Sequence, residues 1–390
     1  MTGFLDVKIC EDFRESINKT DIFIYDNEYK EHYNLFCAVM DRMDSSISYL
    51  NRNANPPKSE EELLFFIMYT CMVLDAVKQL LKSLDIENVY SDKDNAVSYK
   101  FFKDICVAPP LNIPQEDCPT DDKFFEYIRS LSMAHPFETN RPKFFKKGEI
   151  QYSPLVIANS NFMSARGIKD GVGIRIYSNK FEEVQDLLFP FSLLKEYINS
   201  RFLLIKKATE KVYQIIDNKE KIWRKVKVPR NLSPTITLEY ILEILKSRYE
   251  NTYYVELGIK CLSCEITEMA NKDIVSSYKK IITNLIPCLI EAVEELDYEK
   301  MATALDNVLS ARPKNIHEMG HYQLEKIFGY LHVGNESSSE YKWGLQQAQH
   351  FANEFAVKWV KINIDNMNAD EIKLLVRIAC YFEKKEEGNF

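Results

Sequence analysis

The run from Ser59 to Leu84, SEEELLFFIMYTCMVLDAVKQLLKSL, constrains the fold most. Ser59 with Glu62 three residues on forms a capping box, which fixes a helix start. The first half of the run is apolar on almost every face, and a helix of that kind must be enclosed by other elements. It predicts the central helix of a bundle. The neighbours are visible on both sides. Leu35, Phe36, Val39, Met40, Met43 and Ile47 recur at helical spacing between Asn27 and Leu50, ahead of a polar loop with Pro56 and Pro57. Val97–Val107 predicts a shorter third helix, ended by Pro109 and Pro110, and a fourth begins at Asp121.

That fourth helix carries the chemistry. Asp121 to Pro136 reads DDKFFEYIRSLSMAHP. Thr120 suits the N-cap, and Asp121 and Asp122 suit the positive end of the helix dipole. Phe124, Phe125, Ile128 and Leu131 form the apolar stripe. Pro136 drives His135 out of the α region, so the helix must break there. Arg129 therefore sits late in a helix and His135 at its end. On an unbroken helix six residues would place the two on different faces, and the break gives the imidazole a way back towards the guanidinium. An Arg and a His together can hold a phosphate and move a proton near neutrality. The bland alternative is that Arg129 pairs with Glu126 or Glu138 while His135 caps the helix C-terminus.

Beyond His135 come Arg141, Lys143, Lys146 and Lys147 around Phe144 and Phe145, a basic run with rings interleaved. Such a segment can neutralise phosphates and stack on bases. A second basic cluster, Lys219 to Arg230 with Trp223 inside it, has the same composition. With a net charge of −8, attraction to nucleic acid has to come from such local patches. Ile150–Ala158 and Gly171–Ser178 are β-like, the second alternating Val172, Ile174 and Ile176, which predicts a small hairpin. A long helix from Phe191 to about Val226 follows. Past a Pro-containing linker at 227–235, Leu238–Arg248 reads as helix, Thr252–Lys260 is ambiguous between strand and loop, and about 263–308 and 314–383 are helical in pattern. The expected division is 1–148 helical bundle, 149–235 hairpin plus long basic helix, and 236–390 helical domain, in a mainly α protein.

Arg129, five residues and then His135, closing a helix of a bundle, resembles the R-x(4–6)-H motif of the HEPN superfamily. Ala134 and Pro136 flank the histidine, and the basic aromatic run follows it. The resemblance covers roughly 25–145. It implies a metal-independent endoribonuclease in which His135 is the general acid or base and Arg129 steadies the phosphate, with Arg141, Lys143, Lys146 and Lys147 along the RNA. It further implies cleavage to a 2′,3′-cyclic phosphate and a 5′-hydroxyl, a site shared across a homodimer, and a phage-defence or toxin setting with a possible antitoxin partner. The family often has an amide or acid after the Arg, where this chain has Ser130. A HEPN-like module that binds nucleic acid or protein without cutting is the alternative from another class.

A third class enters at HEMGH, His317 to His321, which fits the H-E-x-x-H zinc pattern with Glu318 as base and Glu340 at third-ligand spacing. Pro313 leaves little helix ahead of it, and no cleft strands precede it. Arg312–His317 also repeats the R-x(4)-H spacing, with Pro313 in an unlike position. Cys261 and Cys264 make a lone C-x-x-C, read as two reduced thiols. No dinucleotide or P-loop glycine pattern occurs, so no cofactor and no metal are expected. Nine cysteines without framework spacing, a charged N-terminal stretch, and an apolar run, Leu63–Leu74, too short for a bilayer predict a cytoplasmic chain without a membrane span.

Overall fold

The computed structural model describes residues 3–139, 148–180, 183–332 and 334–388. It is mainly α, with sixteen α-helices and one small sheet among the described residues. Contacts divide it into two compact units, Met1–Ile216 and Asp217–Phe390. The boundary falls inside a helix, rather than at 148 or 235.

In the first unit the helices are α1 (Lys8–Asn18), α2 (Ile22–Tyr25), α3 (Lys30–Arg52), α4 (Glu60–Ser83), α5 (Lys103–Val107), α6 (Asp121–Arg129), α7 (Ser160–Ser164), α8 (Phe191–Phe202) and the start of α9 (Ile205–Trp223). The strands are β1 (Gln151–Tyr152), β2 (Val156–Ile157), β3 (Gly171–Ser178) and β4 (Gln185–Pro190). α4 is the central helix that its sequence predicts. Ser59 caps it by accepting from the Glu62 N–H at 3.2 Å, and Leu63, Phe66, Ile67, Val73, Val77 and Leu80 are buried. Phe66 meets Phe191 of α8 at 4.7 Å, and Tyr49 of α3 stacks on Tyr69 at 4.2 Å. By length and composition α4 is apolar enough to cross a membrane. Here its apolar faces pack on α3, α8 and the sheet, while Phe65 stays exposed.

Two features of this unit go beyond the sequence pattern. Residues 1–26, ahead of the helical spacing that starts at Asn27, contain α1, whose Ile9, Phe13 and Ile17 are buried. The long helix from Phe191 to Val226 is broken at Leu203 and Leu204 into α8 and α9.

The predicted hairpin is the centre of a four-stranded antiparallel sheet. β3 pairs with β1 and β2 end to end along one edge and with β4 along the other. Val172, Ile174 and Ile176 are all buried, as the alternation predicts. β4, QDLLFP, is too short to show a period, and its Pro190 closes an edge strand where a missing N–H costs least. A side chain at Gly173 would put its Cβ 2.5 Å from the Leu187 carbonyl oxygen, so the strand approaches its partner as only glycine allows. Val156 N–H donates to Glu60 at 3.1 Å and ties the sheet to the start of α4.

The second unit contains the rest of α9 and α10 (Pro234–Ser247), α11 (Tyr253–Ser263), α12 (Lys272–Glu295), α13 (Tyr298–Leu309), α14 (Gly320–Tyr330), α15 (Ser339–Glu354) and α16 (Ala369–Glu386). Its core is continuous, with Ile372, Leu375, Val376, Ile378 and Ala379 of α16 fully buried. Pro287 does not break α12. Tyr278 and Ile282 before it, and Leu289, Ile290 and Val293 after it, are buried, so packing on both sides offsets the lost backbone bond.

Candidate functional site

α6 begins as its sequence predicts, with Thr120 as N-cap, and its Phe124, Phe125 and Ile128 enter the core of the first unit. The regular helix ends at Arg129. Ser130–Ala134 then forms one π-helical turn, closed by the His135 N–H donating to the Ser130 carbonyl at 2.8 Å. His135 has φ −144° and ψ 57°, outside the α region as Pro136 requires. Periodicity predicts the stop but not the wider turn before it. Such turns are frequent at functional sites.

Arg129 and His135 are both exposed. Among the described residues, neither side chain hydrogen-bonds or ion-pairs with another. Lys123, six residues earlier, pairs with Glu126 at 2.7 Å, so one of the two acids expected to neutralise Arg129 is held elsewhere. Arg129 lines a cavity of about 490 Å³ whose walls do not include His135. Among the described residues no hydrogen bond joins the imidazole to the guanidinium. Two residues beyond His135, Phe137 is 79% exposed.

The segment after the turn is fixed by groups that the motif does not contain. Thr139, almost fully buried, donates its hydroxyl to the His135 carbonyl at 2.6 Å and shares a 3.2 Å bond with the Ser130 hydroxyl. Its backbone exchanges two hydrogen bonds with Gln151, at 2.9 and 3.0 Å. Gln151 is buried. It accepts from the Tyr127 hydroxyl at 2.6 Å and donates to Glu149 at 2.7 Å. Burial, with Glu149 nearby, pushes the Tyr127 phenol well above its ordinary value, so it remains a donor. The Ser153 N–H donates to the Pro136 carbonyl at 2.7 Å. Ser130, the departure from the family pattern, thus tethers the turn to Thr139. Nothing in the local sequence announces Thr139 or Gln151, because their role exists only once β1 lies beside the turn.

Arg141, Lys143, Lys146 and Lys147 lie outside the described residues. The second basic cluster is largely paired with acids. Lys221 pairs with Asp217 and Arg224 with Glu220. Lys227 and Arg230 meet Glu294 at 3.3 and 2.9 Å, and the Val228 N–H donates to the same carboxylate at 3.0 Å. Burial works against the Glu294 charge, but these donors outweigh it and hold the carboxyl below its ordinary value.

HEMGH does not lie on one helix. α14 starts at Gly320, so His317 belongs to the preceding loop and His321 to the helix. His317 Nε2 lies 2.8 Å from Gln323 Oε1 and 3.0 Å from Glu354 Oε2, with Phe351 and Phe355 beside the ring. Glu340 lies in the first turn of α15. Among the described residues no group of three or more His, Cys, Asp or Glu is placed to hold a metal. Cys261 is buried in α11, which pushes its thiol up to about 11. No protein-family model, curated protein or solved structure matches the chain.

Proposed function

We propose that the chain is a cytoplasmic, metal-independent endoribonuclease of HEPN type, active as a homodimer on single-stranded RNA. The observation that carries this reading is the pair Arg129 and His135 at the two ends of one π turn, both exposed and neither side chain paired among the described residues. An exposed guanidinium and imidazole without internal partners are free to meet a phosphate. The exposed ring of Phe137 beside His135 offers a stacking surface for a base.

In this mechanism His135 takes the proton from the ribose 2′-hydroxyl. The 2′-oxygen attacks the adjacent phosphorus and the P–O5′ bond breaks. The leaving 5′-oxygen takes a proton from the protonated His135 of the other copy. The products are a 2′,3′-cyclic phosphate and a 5′-hydroxyl. Arg129 stabilises the charge that builds on the phosphoryl oxygens. The complete set is supplied by two copies of the turn, as the resemblance implies. The setting is a phage-defence or toxin system, with RNA and a possible antitoxin as partners.

The test is cleavage of an end-labelled single-stranded RNA in EDTA, wild type against His135→Ala. Cleavage by the wild type with cyclic-phosphate ends, lost in the variant, is expected. Cleavage that persists in His135→Ala, or its absence from the wild type at any concentration that supports dimers, refutes the proposal.

A further inference from the structure

The basic stretch that opens the second unit carries side chains that RNA cleavage does not use. From Asp217 to Ile236 it has six cations, Lys219, Lys221, Arg224, Lys225, Lys227 and Arg230, against two acids, Asp217 and Glu220. The chain as a whole carries −8, so this stretch runs against its overall charge. Four aliphatic side chains are interleaved with the cations and face solvent. Ile222 is 58% exposed, Val226 38%, Leu232 36% and Ile236 50%. Scattered single aliphatics at a surface are ordinary, whereas a run of them rimmed by polar groups marks an interaction site.

The stretch is fixed to the second unit. The Trp223 carbonyl, at the end of α9, accepts from buried Arg248 at 2.7 Å. Val226 follows Ile222 by one turn, its N–H on the same carbonyl at 3.1 Å. Val228 is buried, and Glu294 beneath it accepts from its N–H and from Lys227 and Arg230. Ser233 then caps α10 and turns Thr237 and Leu238 into the core. With these groups anchored inward, the four aliphatics are left on the outside. Lys221, Arg224, Lys227 and Arg230 are ion-paired, yet each side chain stays more than half exposed while Glu294 is 10% exposed. The cations therefore form the outer layer.

Composition separates the partners that such a face could meet. Single-stranded RNA is held by cations together with rings that stack on bases. The one ring between 217 and 236 is Trp223, which is half-buried, and aliphatic side chains offer no flat face to a base. Protein interfaces are depleted in Lys, and four of the six cations here are Lys. Lys beside exposed aliphatics suits the boundary of an anionic lipid layer. There the aliphatics enter the acyl edge, and the long Lys and Arg stems lie along it with their heads at the phosphates.

We propose that residues 219–236 are a docking surface for an anionic lipid membrane. Ile222, Val226, Leu232 and Ile236 enter the layer, and the surrounding cations meet its headgroups. The chain lies on the surface and does not cross it. The proposal stands apart from the nuclease reading, because membrane binding is read directly and needs no cleavage.

The experiment is co-sedimentation of the full chain with sucrose-loaded vesicles. One set is phosphatidylcholine alone, and the other contains about 30% phosphatidylserine. Wild type is compared with Ile222→Ser/Ile236→Ser and with Lys221→Gln/Lys225→Gln. All four positions are exposed, so both variants keep the core, and melting curves check that they do. Wild type is expected to pellet with the mixed vesicles and about tenfold or more weakly with phosphatidylcholine alone. Either variant is expected to lose about tenfold or more on the mixed vesicles. Equal binding to the two vesicle types, or no pelleting with either, would overturn the proposal. So would an aliphatic variant that binds as wild type does, because charge alone would then account for the attraction. RNA binding weakened by Lys221→Gln/Lys225→Gln, with no vesicle binding, would assign the face to nucleic acid instead.

Discussion

Thr139→Val tests how the turn bearing His135 is held. Valine keeps the shape of threonine and removes one hydroxyl, which is almost fully buried and bonded to the His135 carbonyl and to Ser130. Each intramolecular hydrogen bond contributes about 1 kcal/mol net. The loss works out at roughly 2 kcal/mol, one for each of the two bonds, while the His135 carbonyl keeps the Glu138 N–H at 3.3 Å. For a unit of this size about 1 kcal/mol moves the melting point by roughly 2–4 °C, so the expected fall is roughly 4–8 °C. Thermal unfolding followed by far-ultraviolet circular dichroism measures it. Thr139→Ser keeps the hydroxyl and is the control, expected to recover much of the loss. RNA cleavage should fall in Thr139→Val and persist in Thr139→Ser, since the hydroxyl acts through the placement of His135. A valine variant that melts within about 1 °C of wild type refutes the argument that these two bonds hold the turn.

Other outcomes follow from the same geometry. Arg129→Ala is expected to lower single-turnover RNA cleavage by about 100-fold or more without shifting the melting point, since its exposed side chain loses no hydrogen-bond or ion-pair partner among the described residues; a drop in melting point with cleavage intact refutes it. Tyr127→Phe removes the donor to buried Gln151 and is expected to cost about 1–2 kcal/mol in urea unfolding; no change would mean that Gln151 is satisfied otherwise. For Glu294 the sign is fixed by its lowered pKa. Wild type should exceed Glu294→Gln in stability above the ordinary value of 4.5, and the gap should close as pH falls through the lower folded value; a gap constant from neutral to acid pH removes the role of its charge. Gly173→Ala drives a methyl into the Leu187 carbonyl and is expected to cost about 1–3 kcal/mol, measured by the same unfolding; a neutral substitution shows that β3 and β4 separate freely.

Much of the bundle can be read along the chain because its signals are local. The Ser59 cap, the all-round apolar start of α4 and the stop at Pro136 each depend on residues within one or two turns, and each is found where expected. α1 carries the same kind of stripe, but a short amphipathic run ahead of a bundle reads equally as a lead-in until Phe13 is seen in contact with Phe36. α11, YYVELGIKCLS, opens with the aromatic and β-branched content of a strand, and its burial against neighbouring helices overrides that preference. The candidate site divides in the same way. Arg129 and His135 are legible as residues at a helix end. The π turn is not, because five residues cannot separate one hydrogen-bond register from the next. Thr139 and Gln151 act through partners far along the chain, and no periodicity carries that information.

The π turn also bears on how such a chain can change over generations. It accommodates one residue more than an α-helix would between Ser130 and His135, closed by an i→i+5 bond. Deleting one of Leu131, Ser132, Met133 or Ala134 would let the same donor and acceptor close as an ordinary α turn. Pro136 would still mark the end, and Thr139 would still anchor the exit to β1. The turn is thus a place where the chain can lose a residue without moving the helix before it or the strand contact after it. Length variation between the arginine and the histidine would be absorbed there, within a span whose two ends are tied to the rest of the unit.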